Sequence, residues 1–407
     1  MFRTALGFVV ALLYLVSPAS VVAQRAPLHD LLLLQTGAGA NTSALVVQSG
    51  GTNRSVPAGV YSSHTHTMYV ATSAADGTST VIRAITVASG RTLHTLSLFG
   101  QFSTDPSNYA ATAMSFNGRW LALRSTAVDA QHTAIAVIDT RTMRVVAQPL
   151  LLGQFGLDAI DATGASLYLI ESLPQRGPET YQVRSYNLRQ GSLDPSPVLE
   201  KGETVGTMSG VAHTRAWSVG GDWLFTLYVR PGTAGAFIHS LGLEYPLAHC
   251  IFLPDRGVPA DQMAQFALAL SPTGEALYAV NPALGRITAV NAQINALPYG
   301  SMSSVTLPVR APFQQNAGSA TVSRDGSRLF VATGDGLWVV NTATLKLRAT
   351  YLRGQTTRSV ARSSDGRRLY VLQPARHRIA VLAAKTGTLL ATMAVPASAW
   401  TIQQVMH

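Results

Sequence analysis

The chain is 407 residues long and 47% hydrophobic, and only 12% of its residues are charged, about half the ~25% of an average soluble domain. Its formal charge of +10 comes from arginines dispersed through turn-like segments; no basic stripe with interleaved aromatics is present, which excludes the usual nucleic-acid-binding pattern. A single cysteine, Cys250, excludes a disulfide scaffold, and a chain of this length can bury a large core without staples.

Met1 to Ala23 reads as a secretory signal. Arg3 supplies the positive start, Ala5 to Val16 the short apolar run, and Val21-Val22-Ala23 the residues around a cleavage site after Ala23. The mature chain, 24–407, is expected to be one domain, secreted or extracytoplasmic. The alternative is an uncleaved N-terminal membrane anchor, for which the apolar run is short against the ~17–25 residues of a span. No cysteine follows that run, so no lipid attachment site is expected.

Beyond this segment the chain is punctuated by turns followed by apolar runs. Leu31 to Leu34 and Ala44 to Val47, joined by a Gly-Ala-rich loop, look like the middle of a four-stranded unit without its first strand. Further runs start at Met68, Leu121, Leu167, Leu224, Leu277, Leu329 and Leu369, each just after a turn-like tetrad such as Ser115-Phe116-Asn117-Gly118 or Ser271-Pro272-Thr273-Gly274. Their spacing, roughly 40–57 residues, is near that of propeller blades. Trp400 to Val405 looks like a first strand without the rest.

The unit is clearest between Thr321 and Val395, where it is written twice. Ser364-Asp365-Gly366-Arg367 is a tight turn, since Asp-Gly accepts positive φ at little cost. Leu369 to Leu372 and Ile379 to Leu382 are apolar at four successive positions, so both faces of these strands are expected to be covered. Neighbouring blades of a ring supply such cover. The expected fold is therefore an all-β propeller of four-stranded antiparallel blades, with eight blades favoured and seven the alternative. Its N- and C-terminal strands share one blade, which closes the ring and protects its edges.

The phrase S-x-D-G-x-x-L-Y-V, followed by runs such as Ala136-Val137-Ile138-Asp139-Thr140 and Trp338-Val339-Val340-Asn341-Thr342, resembles the YVTN-type β-propeller repeat. The resemblance covers most of the mature chain and is strongest in its last two units. It implies relatives among surface-layer and periplasmic binding proteins, with lactonase-type enzymes further off. The repeat carries no catalytic residue.

No nucleophile elbow, Walker loop, dinucleotide glycine pattern or zinc-protease helix is present. His64 and His66 could face one ion from a strand, but they occupy the turn where other units have Asp-Gly, and no third ligand is nearby. Cys250 sits in an apolar run, with His249 facing the other way, and is expected to be a buried, inert thiol. Asp325 and Asp365 are expected to cap their own turns. No catalytic, metal or cofactor role is assigned to any residue.

Propeller ligands bind where loops lead into the innermost strands, and here those links carry side-chain amides among aromatics. The candidate channel-mouth residues are Gln101, Asn108, Tyr109, Gln154, Gln262, Gln314, Gln315 and Gln355, with Gln265 close by. Such a set suits a neutral polar ligand such as a sugar or peptide, and the expected partner is a protein, peptide or carbohydrate. The expected function is a secreted, non-enzymatic, monomeric binding scaffold, with no nucleic-acid role and with cell-envelope association in reach. One alternative is a lactonase-like, metal-dependent hydrolase using Asp105, Glu203 or Asp261. Another is a structural envelope protein.

Overall fold

Each unit of the repeat folds as its own small sheet, and the sheets follow one another around a ring. The computed structural model describes residues 30–37, 42–48, 53–105, 108, 110–127, 131–177, 179–200, 206–293, 299–312 and 318–406. Blade 1 contains β1 (Leu31–Thr36), β2 (Ser43–Gln48) and β3 (Arg54–Pro57). Blade 2 contains β4 (Val60–Ser62), β5 (Thr67–Ser73), β6 (Ser79–Thr86) and β7 (Thr92–Phe99). Blade 3 contains β8 (Thr112–Met114), β9 (Trp120–Arg124), β10 (His132–Asp139) and β11 (Arg144–Ala147), with β12 (Leu150–Leu152) also on β10. Blade 4 contains β13 (Phe155–Ile160), β14 (Ser166–Ser172), β15 (Thr180–Asn187) and β16 (Ser192–Pro197), with β17 (Met208–Ser209) on β15.

Blade 5 contains β18 (Val211–Trp217), β19 (Trp223–Val229), β20 (Ala236–Gly242) and β21 (Leu247–Phe252). A single helical turn, α1 (Ala260–Met263), leads into blade 6, which contains β22 (Ala267–Leu270), β23 (Ala276–Asn281), β24 (Arg286–Asn291) and β25 (Met302–Thr306). Blade 7 contains β26 (Ala320–Val322), β27 (Arg328–Thr333), β28 (Gly336–Asn341) and β29 (Leu347–Tyr351). Blade 8 contains β30 (Ser359–Arg362), β31 (Arg368–Gln373), β32 (Arg378–Ala383) and β33 (Leu389–Ala394). The last strand, β34 (Ala399–Met406), returns to blade 1 and pairs antiparallel with β1, Leu31 opposite Met406 and Leu34 opposite Ile402. Eight blades, not seven, make the ring, and the two ends of the chain close it.

The core is a series of blade-to-blade interfaces. Leu369 and Val371 of β31 pack with Phe330 and Val339 of blade 7. Tyr370 and Leu372, on the other face, pack with Leu32 and Leu34 of blade 1. Every residue of β19 and β20 is buried. This is the physical reason that the middle strands are apolar without alternation: each face meets a neighbour. Each fully buried Leu, Val or Phe contributes about 1.5–3 kcal/mol relative to exposure.

The repeated polar residues hold the turns. In five blades a serine hydroxyl accepts the backbone N–H five residues on: Ser115 from Trp120, Ser218 from Trp223, Ser271 from Ala276, Ser323 from Arg328 and Ser363 from Arg368, all at 2.9–3.0 Å. Asp325 accepts Ser323 Oγ at 2.5 Å and the Ser327 N–H at 3.1 Å, and Asp365 accepts Ser363 Oγ at 2.5 Å and the Arg367 N–H at 3.0 Å. The turn glycines Gly118, Gly326 and Gly366 have φ of 69°, 72° and 73°, as the Asp-Gly pattern requires. The threonine of the D/N-T phrase closes the same unit: Thr140 donates to the Gly118 carbonyl and Thr342 to the Gly326 carbonyl, both at 2.7 Å. The recurring polar atoms of the repeat are thus used within the blade itself.

No helix among the described residues is long and apolar enough to cross a membrane. Residues 1–29, including the expected signal and its Ala23 cleavage site, lie outside the described residues.

Candidate functional site

The innermost strands build the site because they have neighbours on one side only. Along the axis they carry small side chains such as Ala267, Ala320 and Ala361, which leave the centre hollow. The resulting cavity is about 1250 Å³ and is walled by β18, β22, β26, β30 and β34. Hydroxyls hold adjacent inner strands together: the Ser319 hydroxyl accepts the Val360 N–H at 3.2 Å, and the Ser359 hydroxyl accepts the Ile402 N–H at 3.1 Å. These two serine bonds hold the wall in register without using its amides or guanidinium groups.

Those side chains are polar and cationic. His213, Arg215, Gln265, Arg358, Arg362, Gln403 and Gln404 face the cavity, and Asp261 is the only carboxylate among its lining residues. Arg215 is already committed, with Nη2 at 2.9 Å from Oδ1 of the buried Asp158. Arg358 lies over the Trp400 ring, 4.2 Å from its centroid, which fixes the guanidinium plane. Burial holds the Arg358 guanidinium below its ordinary pKa. Burial, and then the charge of Arg324, do the same to Arg362. Neither Arg358 nor Arg362 forms an ion pair among the described residues. Burial also lowers the His213 pKa, which favours a neutral imidazole on the wall.

A second cavity of about 550 Å³ opens over blade 4, between the inner ends of blades 3 and 5. Asn108 and Gln154 line it with Arg124, Tyr181 and Tyr228, and Arg215 borders both cavities. The Tyr181 and Tyr228 rings stack at 5.3 Å, and burial pushes both phenols up.

The amide residues expected at the channel mouth are distributed as follows. Asn108 and Gln154 share the second cavity, and Gln265 lines the central one. The Gln101 amide donates to the Gly77 carbonyl at 2.9 Å, inside its own blade. Gln355 accepts Gln373 Nε2 at 2.8 Å and Arg378 Nη2 at 3.3 Å, so its amide braces blade 8. The Gln262 carbonyl takes the Asn281 amide at 2.8 Å, which anchors α1. Tyr109, Gln314 and Gln315 lie outside the described residues.

Of the three carboxylates proposed for metal chemistry, Asp261 is at the channel rim, Asp105 lines neither cavity, and Glu203 lies outside the described residues. Among the described residues no group of three or more His, Cys, Asp or Glu side chains gathers around a point. His66 sits at positive φ and meets the Tyr61 hydroxyl at 2.9 Å, while His64 packs edge-on to Phe116. Cys250 is half-buried on the outermost strand β21, 3.5 Å from Met208 Sδ, rather than fully buried as expected; an outer strand has one covered face.

The sequence reading passed over Arg358, Arg362, Gln403 and Gln404. A signal for the arginines was present. Counting back from the turn serine Ser363 puts Arg362 on the innermost strand and Arg358 at its start.

The class is thus an eight-bladed β-propeller with a hollow polar axis. No family model and no curated protein sequence matches the chain. Among solved structures, AztD from Citrobacter koseri is similar over 92% of this chain and 97% of its own, with TM-score 0.56 at 13% identity. Its apo structure gives TM-score 0.55 at 14% identity, over 93% of this chain and 98% of its own. The dihydro-heme d1 dehydrogenase NirN in complex with DHE is similar over 91% of this chain and 74% of its own, with TM-score 0.54 at 12% identity. These likenesses speak for the ring fold alone.

Proposed function

We propose that the protein is an extracytoplasmic binding scaffold of the YVTN-repeat type that holds a hydrophilic ligand in its central channel. The observation that carries this reading is the channel itself. It is about 1250 Å³ of space walled by five inner strands, into which the guanidinium groups of Arg215, Arg358 and Arg362 and the amides of Gln265, Gln403 and Gln404 converge. A rigid ring with polar groups fixed around one concavity is suited to recognition. The turn chemistry supports the repeat type, because each polar position of the phrase has a closure role within the blade. The ligand is expected to be a carbohydrate or a peptide, reached at the cell envelope by a monomer.

Thermal unfolding of the purified protein against sugars, short peptides, lactones, calcium, magnesium and chelator tests the reading. A ligand that binds only the folded state raises the midpoint by mass action. The expected result is a rise with a hydrophilic organic ligand and none with metals. A calcium-dependent rise reversed by chelator would instead favour the hydrolase. A flat response to every small molecule would remove the channel as a ligand site. N-terminal sequencing of the exported protein checks the cleavage after Ala23.

A further inference from the structure

We propose that the ligand of the channel is an acidic oligosaccharide whose carboxylates are taken by Arg358 and Arg362; this rests on the channel-binding reading above. Both guanidinium groups face the cavity, and neither has a carboxylate partner among the described residues. Both Nε atoms are buried without a hydrogen-bond acceptor. Both residues are half-buried, and a partly desolvated cation without a counter-charge gains from an anion that supplies one. Arg362 also feels the charge of Arg324, so an anion there relieves repulsion as well as desolvation.

The spacing sets the shape of the ligand. The Arg358 N–H bonds the Leu372 carbonyl at 3.0 Å, so the chain from Arg358 through β30 is extended and ladder-bonded. About four residues of strand, on the order of 13 Å, separate the two Cα atoms, and the side chains reach the cavity from opposite flanks of the strand, Arg358 on the Trp400 side and Arg362 on the Arg324 side. One small anion does not serve both positions; an elongated chain bearing two anionic groups does. Arg358 is pre-oriented by Trp400 at 4.2 Å, and a planar fork held in place matches a carboxylate in bidentate fashion.

The uncharged part of the wall decides what carries the charges. The Gln403 amide donates to Gln35 Oε1 at 3.4 Å and leaves its own Oε1 buried without a donor. That oxygen has unused acceptor capacity beside the cavity, which a hydroxyl or N–H donor can take, and the wall offers a further hydroxyl at Thr321. Polyphosphate brings anionic oxygens but no donor; a sugar acid chain brings both carboxylates and hydroxyls.

Isothermal titration calorimetry with trigalacturonate, inorganic tripolyphosphate and neutral maltotriose tests this on the wild-type protein and on Arg358→Gln, Arg362→Gln and the double variant. Arg353→Gln, at an exposed position, controls for loss of net charge. The expected result is binding of trigalacturonate, weakened roughly ten- to hundredfold by either channel substitution, abolished in the double variant and unchanged in the control. Tripolyphosphate binding as tightly with the same arginine dependence would overturn the sugar assignment. Maltotriose binding as tightly, untouched by the arginine variants, would overturn the anionic ligand while leaving the channel-binding reading intact. Equal weakening by Arg353→Gln would reduce the effect to general charge attraction and overturn the site. Absence of binding to all three also overturns the proposal, and the thermal panel then decides separately whether the channel binds anything.

Discussion

Two adjacent strands of one blade, β30 and β31, have the same backbone geometry and opposite jobs. In β31 five of the six residues are buried, packed alternately on blade 7 and blade 1. In β30 the outward bonds go to neighbouring inner strands through Ser359, and the arginines are left facing the channel. The middle strands therefore carry the stability of the ring, and the inner strands carry its chemistry. The difference arises from cover: a strand between two blades has no water on either face, whereas a strand at the axis has the channel.

The first way to break this comparison is to open the ring. Deleting residues 399–407 removes β34, the inner strand of blade 1, and bares both the edge of β1 and the flank of blade 8. Loss of a cooperative unfolding transition is expected by circular dichroism. A retained sharp transition would mean that the other seven blades stand without closure.

Asp158→Ala sharpens the comparison, because Asp158 belongs to an inner strand yet is buried. Its removal leaves Arg215 without the partner it holds at 2.9 Å, and breaking a buried pair costs about 3–5 kcal/mol. Urea unfolding should place this variant with core mutants, not with channel mutants. Leu369→Ala, at a fully buried position of β31, is expected to cost about 2–5 kcal/mol. Thr321→Ala, on the channel wall, should stay within about 0.5 kcal/mol. Equal losses for these two would dissolve the distinction between the strands.

The smallest effect lies in the turns. Asp325→Ala removes a cap that accepts Ser323 and Ser327, at a cost of about 1 kcal/mol for an exposed turn. Those hydrogen bonds pull the Asp325 carboxyl down to about 2. A folded pKa below the unfolded ~3.9 means stability that is present above pH 4 and lost as pH falls toward 2. Asp325→Asn keeps the acceptor, as Asn117 does in blade 3 with Ser115 at 2.7 Å. The wild type should therefore exceed the Asn variant in melting temperature at pH 6, and the gap should close by about pH 2.

The same division explains what could be read from the chain. Leu369 to Leu372 announce their cover by being apolar without alternation, and Ser363-x-Asp365-Gly366 announces its turn because only a few residue types make those bonds. The split blade followed from an orphan first strand at Trp400 to Val405 and an orphan middle at Leu31 to Val47. The channel was harder. Its strands are as short as the three residues of β26, too brief to show a period, and Arg358 in isolation resembles any surface arginine. The amides posed the opposite difficulty. Gln355 and Gln154 are alike as letters, but Gln355 is bonded to Gln373 and Arg378 while Gln154 borders an open cavity. Partners that lie a strand away are set by tertiary register, which local sequence does not carry.

The central claim is that the channel, and not the loop face or the blade 4 cavity, holds the ligand. A crystal structure of the protein soaked with trigalacturonate tests it most directly. The account predicts ligand density along β30, with a carboxylate against each of Arg358 and Arg362 and a hydroxyl at Gln403. Density confined to the cavity lined by Asn108, Gln154 and Arg124, with an empty channel, would contradict it.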